Sequence, residues 1–298
     1  MFRCVNGELI IPPAWEELRA LLADRDAGVV YVIGPTDSGK STLCRFLLGK
    51  LAGPEPAAYL DADTGQSTIG PPATVGLVFC AGKPARLIQT FLRFVGSTSP
   101  QGHMLQQLVS TARLLDIARE QGIRPVIIDS PGWVEGPVAE EFQIRMIDLL
   151  HPDILVAIQK DSELDGILAN FRSRTGMTIR SIAPSPQVQV RSRAWRARYR
   201  QERFRTYFSG NITIGIPLSG TGFHGRIPDS FRNEDWENLL IALCDQDMFV
   251  VSLAIVEKLD LIEGILHIRS PPVDLSLVAS VQVGSIRLEP GVEFLTDE

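Results

Sequence analysis

The stretch Gly34-Pro35-Thr36-Asp37-Ser38-Gly39-Lys40-Ser41-Thr42 fits the pattern G-x-x-x-x-G-K-[ST]. Glycines at both ends of such a loop let backbone N–H groups turn inward on phosphate oxygens, and a helix starting at its end adds the positive pole of its dipole. Lys40 then reaches the β- and γ-phosphates as a point charge, and the Ser41 hydroxyl is a ligand for Mg²⁺. Gly34, Thr36, Asp37, Ser38, Gly39, Lys40, Ser41 and Thr42 are the expected triphosphate-binding residues. Pumps, switches and kinases all use this loop, so the acceptor of the phosphate has to be read elsewhere.

Two acids and an amide follow in Asp61-Ala62-Asp63-Thr64-Gly65-Gln66. Alternation along a persisting strand puts Asp61 and Asp63 on one side. One carboxylate can then hold Mg²⁺ and the other can take the proton of an attacking hydroxyl, and the reading here makes Asp63 the base and places Asp61 in the metal shell. Asp129, in Ile127-Ile128-Asp129-Ser130-Pro131-Gly132-Trp133, closes another apolar run and is a second metal-shell candidate. Trp133 follows a Pro-Gly turn, where its ring can stack on a base or cover the sheet edge.

Between Arg191 and Arg205 stand seven arginines and one acid, Glu202. At helical spacing Arg193, Arg196, Arg200 and Arg203 share a face, with Trp195 and Tyr199 as an i, i+4 pair beside it. Such a helix can act as a lid that neutralises a transferring phosphoryl group, and some of its arginines can hold strand phosphates.

These residues need a scaffold, and the chain alternates short β-branched runs with helical segments. Val29–Ile33, Ala57–Leu60, Val75–Phe79, Pro125–Ile128 and Ile154–Ile158 read as buried strands, and Leu43–Leu51 as the helix after the phosphate loop. The pattern predicts an α/β fold, a P-loop NTPase with a mainly parallel sheet flanked by helices. Residues 1–27 read as a lead-in, with a strand-like piece at Glu8–Ile11 and a helix from Trp15 to Leu22. Residues 28–210 read as the P-loop domain with the lid at about 184–208, and 211–298 as a small β-rich domain.

The 298 residues are 45% hydrophobic, ample for a packed core, and no apolar stretch approaches the roughly 20 residues of a membrane helix. Lacking a secretory start, the protein is expected to be cytoplasmic, with no membrane partner. Four scattered cysteines and four scattered histidines show no metal-ligand spacing. A net charge of −6 excludes a general nucleic-acid coat and confines any nucleic-acid site to a local basic patch.

Taken together, the segments resemble the polynucleotide 5′-hydroxyl kinase family, which includes the RNA kinases of the mRNA 3′-end cleavage factor and of pre-ribosomal RNA processing. The likeness rests on Gly34–Thr42, on the D-x-D-x-G-Q motif at Asp61–Gln66, on the lid from Val190 to Phe208, and on Ser130-Pro131-Gly132-Trp133, similar to that family's T-x-G-W clasp. Ser130 stands for the usual Thr, and Asp129 where Asn is common. The resemblance implies Asp63 as general base and metal-associated acid, and Arg196 and Arg200 as the R-x-x-x-R pair on ATP phosphates. With Lys40 these form the implied catalytic set. It implies Mg²⁺-ATP as phosphate donor and an RNA or DNA end bearing a 5′-hydroxyl as acceptor, with Trp133 in the clasp on the end of that strand; Gln66, Arg193 and Arg203 are the further nucleic-acid candidates of the residue reading itself. An ATP-binding assembly subunit without catalysis and a nucleoside or small-molecule kinase are the rival readings. Protein partners are not encoded in any motif.

Overall fold

Residues 10–24 and 28–288 are described by a computed structural model. The first helix, α1 (Pro13–Asp24), is entered through proline and packs Trp15 against Phe46, with ring centroids 5.5 Å apart. The strand-like piece at Glu8–Ile11 begins outside the described residues, and Ile10 and Ile11 are irregular.

There follow β1 (Val29–Ile33), α2 (Lys40–Leu51), β2 (Ala57–Asp61), β3 (Thr74–Ala81), β4 (Arg86–Phe94), α3 (Met104–Glu120), β5 (Val126–Asp129), α4 (Pro137–Leu150), β6 (Ile154–Ile158), α5 (Asp165–Ala169) and β7 (Thr178–Ile182). The seven strands form one sheet in the order β4-β3-β2-β5-β1-β6-β7. Strand β1 pairs in parallel with β5 and β6, and β6 with β7. The runs β1, β2, β5 and β6 are buried along their whole length, as strands covered on both faces must be. Helix α2 buries Leu43, Cys44, Phe46, Leu47 and Leu48.

The arginine segment forms α6 (Arg193–Tyr207), capped by Ser192, whose hydroxyl accepts the N–H of Trp195 at 3.1 Å. After it come β8 (Ile212–Pro217), β9 (Gly222–Gly225), α7 (Asn233–Trp236), β10 (Leu239–Cys244), β11 (Val250–Asp260), β12 (Ile265–Ser270) and β13 (Ser280–Arg287). Six of these strands make a second sheet, ordered β8-β12-β11-β10-β13-β9, antiparallel except for β13 with β9. Along β10 the side chains alternate between two apolar clusters. Leu239, Ile241 and Leu243 join Trp236 and Leu266, whereas Leu240, Ala242 and Cys244 join Phe94, Phe204 and Phe208.

Packing groups the described residues into two compact units. One holds residues 10–24, 28–59, 79–88 and 121–190; the other holds 60–78, 89–120 and 191–288. Helix α6 goes with the second sheet because Phe204, fully buried, and Phe208 are part of its core. No helix among the described residues is long and apolar enough to cross a membrane.

Candidate active site

In the first unit the phosphate loop runs from the carboxyl end of β1 into α2. Gly39 caps α2 at φ 95°, a left-handed conformation that side chains rarely adopt, and a Cβ there would press on Val188 at 3.2 Å. Lys40 is buried, and its ammonium donates to the carbonyls of Gly34 (2.9 Å) and Pro35 (2.8 Å). Asp37 sits at φ 59° and Ser38 is buried, while Ser41 and Thr42 open the helix half-buried. Thr36 donates its hydroxyl to the Gly132 carbonyl at 3.2 Å. A Cβ at Gly132 would lie 2.5–2.9 Å from Thr36 atoms, so the turn bearing Trp133 and the phosphate loop touch backbone to backbone.

Two residues the sequence reading missed hold that turn. Gln143, on the buried stripe of α4, donates from Nε2 to the carbonyls of Pro131 (3.1 Å) and Trp133 (3.0 Å), and its Oε1 accepts the Tyr31 hydroxyl at 2.8 Å. Burial, foremost, pushes the Tyr31 phenol far above its ordinary value and keeps it a donor, while Ser130 opposes the shift and Asp129 adds to it. A glutamine among Ala139, Phe142, Met146, Ile147 and Leu150 was the available signal, because a polar side chain on an apolar face has to find partners. Trp133 is half-buried, its ring 5.8 Å from Phe142. Asp129 is buried and accepts the Tyr59 hydroxyl at 3.0 Å.

In the second unit the acidic motif is a turn, not a continuing strand: β2 ends at Asp61. Asp61 is buried and accepts the N–H of Asp63 (3.1 Å), the N–H of Thr68 (2.6 Å) and the Thr68 hydroxyl (2.8 Å). These bonds engage both carboxylate oxygens, so Asp61 also organises the loop that carries Asp63. Asp63 is half-buried, and its Oδ1 accepts the N–H groups of Gly65 (2.9 Å) and Gln66 (3.0 Å), which fixes the carboxylate and leaves Oδ2 for chemistry. Gln107 of α3, also missed, donates to the Ala62 carbonyl at 2.5 Å from a buried position.

Helix α6 is tied to the same loop along its length. Arg191 donates to Gln66 Oε1 at 3.2 Å, the Tyr199 hydroxyl to the Ser67 carbonyl at 3.0 Å, and Arg203 to the Gly70 carbonyl at 2.5 Å. Arg203, expected on the nucleic acid, is therefore spent in part on the loop. Arg196 and Arg200 are half-buried. Burial is the main cause lowering the Arg200 pKa, with Asp63 opposing and Arg196 reinforcing the shift, so Arg200 lies within the electrostatic reach of the Asp63 carboxylate. Arg193 is exposed at the helix start. The Trp195 and Tyr199 rings stack at 5.4 Å, and the Arg191 guanidinium lies 4.3 Å from the Trp195 centroid.

A family model described as mRNA cleavage and polyadenylation factor CLP1 P-loop matches residues 34–210, more than half of the chain. The chain belongs to the CLP1 P-loop family. The part of it matched by the CLP1 P-loop model includes the phosphate loop, Asp61–Gln66, Trp133 and all of α6. Relatives similar over most of their length include the polyribonucleotide 5′-hydroxyl-kinases of Pyrococcus horikoshii, 25% identical over 89% of this chain and 87% of that one, and of Methanocaldococcus jannaschii, 25% identical over 89% and 88%. The polyribonucleotide 5′-hydroxyl-kinase Clp1 of Bos taurus is 30% identical over 61% of this chain and 45% of its own. Among solved structures, the wild-type Clp1p–Pcf11p complex is similar in fold, with a TM-score of 0.70 at 15% identity, covering 92% of this chain and 79% of that one.

Proposed function

We infer that this protein is an ATP-dependent polynucleotide 5′-hydroxyl kinase, transferring the γ-phosphate of ATP to the 5′-hydroxyl end of a nucleic-acid strand. Family membership and the kinases among its relatives support this reading. The observation that carries it here is Asp63, anchored through Oδ1 by two backbone amides and within the electrostatic reach of Arg200. A phosphotransferase to an alcohol needs a fixed base for the hydroxyl proton and a cation for the charge on the moving phosphoryl group.

Asp63 Oδ2 takes the proton of the 5′-hydroxyl, the freed oxygen forms a bond to the γ-phosphorus, and the bond from that phosphorus to the bridging oxygen breaks, leaving ADP. Lys40 follows the β- and γ-phosphates, and Arg196 and Arg200 neutralise the equatorial oxygens. Trp133 stacks on the terminal base. Ser41 and Asp129 are hard oxygen donors that fit Mg²⁺ and would hold it, with Asp63 as the associated acid. Bound there, Mg²⁺ neutralises charge on the β- and γ-phosphoryl oxygens.

Incubation with γ-labelled ATP and 5′-hydroxyl oligonucleotides, with nucleosides and water as competing acceptors, tests the reading. Label is expected on the oligonucleotide 5′ end. Label on nucleosides alone would make the protein a small-molecule kinase, and label on no acceptor would leave an ATP-binding subunit.

A further inference from the structure

Helix α6 carries a second row of side chains that the kinase reading leaves unused. Trp195, Arg198, Glu202 and Arg205 succeed one another at spacings of three and four, which places them in one stripe. All four are exposed, and Arg191 continues the line just before the helix with its guanidinium on the Trp195 ring. The opposite stripe, Arg196, Arg200 and Arg203, is half-buried and faces the loop of Asp63. Arg198 makes no hydrogen bond or ion pair among the described residues, and Arg205 has one acid nearby, Glu202 at 3.5 Å, an exposed pair of little energetic weight.

We propose that this outer stripe is an interaction surface for the body of the acceptor strand, with Arg198 and Arg205 holding phosphodiesters several nucleotides beyond the reacting 5′ end. The inference rests on the kinase reading for the identity of the strand. Charge selects the occupant: in a protein of net charge −6, the stripe sets three guanidinium groups against one carboxylate. Phosphodiesters are the ligand such a row attracts, with affinity that falls steeply in salt. Arg198 and Arg205 stand two turns apart, about 10 Å along the axis, which corresponds to phosphates about three nucleotide steps apart at the roughly 3.4 Å axial rise of a stacked strand. Trp195 is already engaged by the stacked Tyr199 ring and by the Arg191 guanidinium, so it stiffens the row and is not offered as a platform for a base. Burial of Phe204 in the second core holds the helix so that the row stays presented.

The test compares the full chain with R198Q, R205Q and the double variant, using single-stranded 5′-hydroxyl oligonucleotides of two and twelve nucleotides that share their 5′ sequence. Affinity is read by anisotropy of a 3′ label over a salt series, and turnover is read separately. The wild type should bind the 12-mer more tightly than the dinucleotide. The double variant should lose about tenfold in 12-mer affinity, and its log–log salt slope should fall by about 1 per arginine. Turnover of the dinucleotide should not change. Equal 12-mer affinity and slope in wild type and double variant, or no gain with length in the wild type, overturns the proposal. If the dinucleotide is still phosphorylated in that case, the kinase reading stands. Length- and arginine-dependent binding with no acceptor phosphorylated would keep the surface and sink the kinase.

Discussion

Tyr31 and Gln143 form a buried pair in which the phenol donates at 2.8 Å to the amide oxygen, orienting the amide so that its Nε2 donates to the carbonyls of Pro131 and Trp133. A strand residue and a helix residue thereby set the turn that carries the aromatic ring. Tyr31→Phe leaves Gln143 Oε1 buried without its donor, at a cost of about 1–3 kcal/mol in unfolding free energy. The same variant should raise KM for the oligonucleotide more than it lowers kcat. Denaturant unfolding and steady-state kinetics check both, and an unchanged acceptor KM would reduce the pair to core packing.

Asp63→Asn keeps the amide contacts at Oδ1 but removes the proton acceptor. Transfer should fall by about 10²- to 10⁴-fold with ATP binding retained. A single-turnover assay beside an ATP titration decides it; retention of most of the rate would remove Asp63 as base.

Trp133→Ala should weaken binding of a 5′-hydroxyl oligonucleotide by about 1–3 kcal/mol and leave ATP affinity within experimental scatter. Equal losses for both ligands would return the ring to a structural role against Phe142.

Phe204→Ala opens a cavity in the core shared by α6 and the second sheet, at about 3–5 kcal/mol. Because Arg196 and Arg200 ride on the same helix, phosphoryl transfer should drop while the phosphate loop, in the other unit, still binds ATP. Calorimetry and nucleotide titration on one preparation separate the two effects.

His224 supplies a pH signature. Burial first, and Arg93 second, hold its pKa below the ordinary 6.5. As pH falls below 6.5 the unfolded chain takes up a proton that the folded chain resists, so stability is full above 6.5 and declines toward the folded pKa. Unfolding midpoints measured from pH 7.5 to 5 should fall, and His224→Gln should flatten the curve. An equally steep fall in the variant would assign the effect to other groups.

Much of the first sheet was readable because its strands are uninterrupted apolar runs: Val29–Ile33 and Ile154–Ile158 form as expected. Strand β4 was missed since Arg86–Thr90 are all exposed and show no alternation, and β8 for the same reason at Ile212–Thr213. The phosphate loop is local chemistry and could be read residue by residue. The loop-holding bonds of Asp61 could not be, because they depend on Thr68 folding back seven residues later to meet it. Tyr31 and Gln143 act across 112 residues of sequence, a separation no spacing rule reaches.

The anchoring of Phe204 and Phe208 bears on how the protein can be dissected. The stretch that carries the family likeness ends at residue 210, yet a fragment cut there would leave two large aromatic rings facing water and the arginine row without footing. Ancestry draws its border after the helix, whereas apolar contact draws it before. The carboxyl-terminal sheet is thus a foundation for the transfer machinery, not an ornament that can be removed from it.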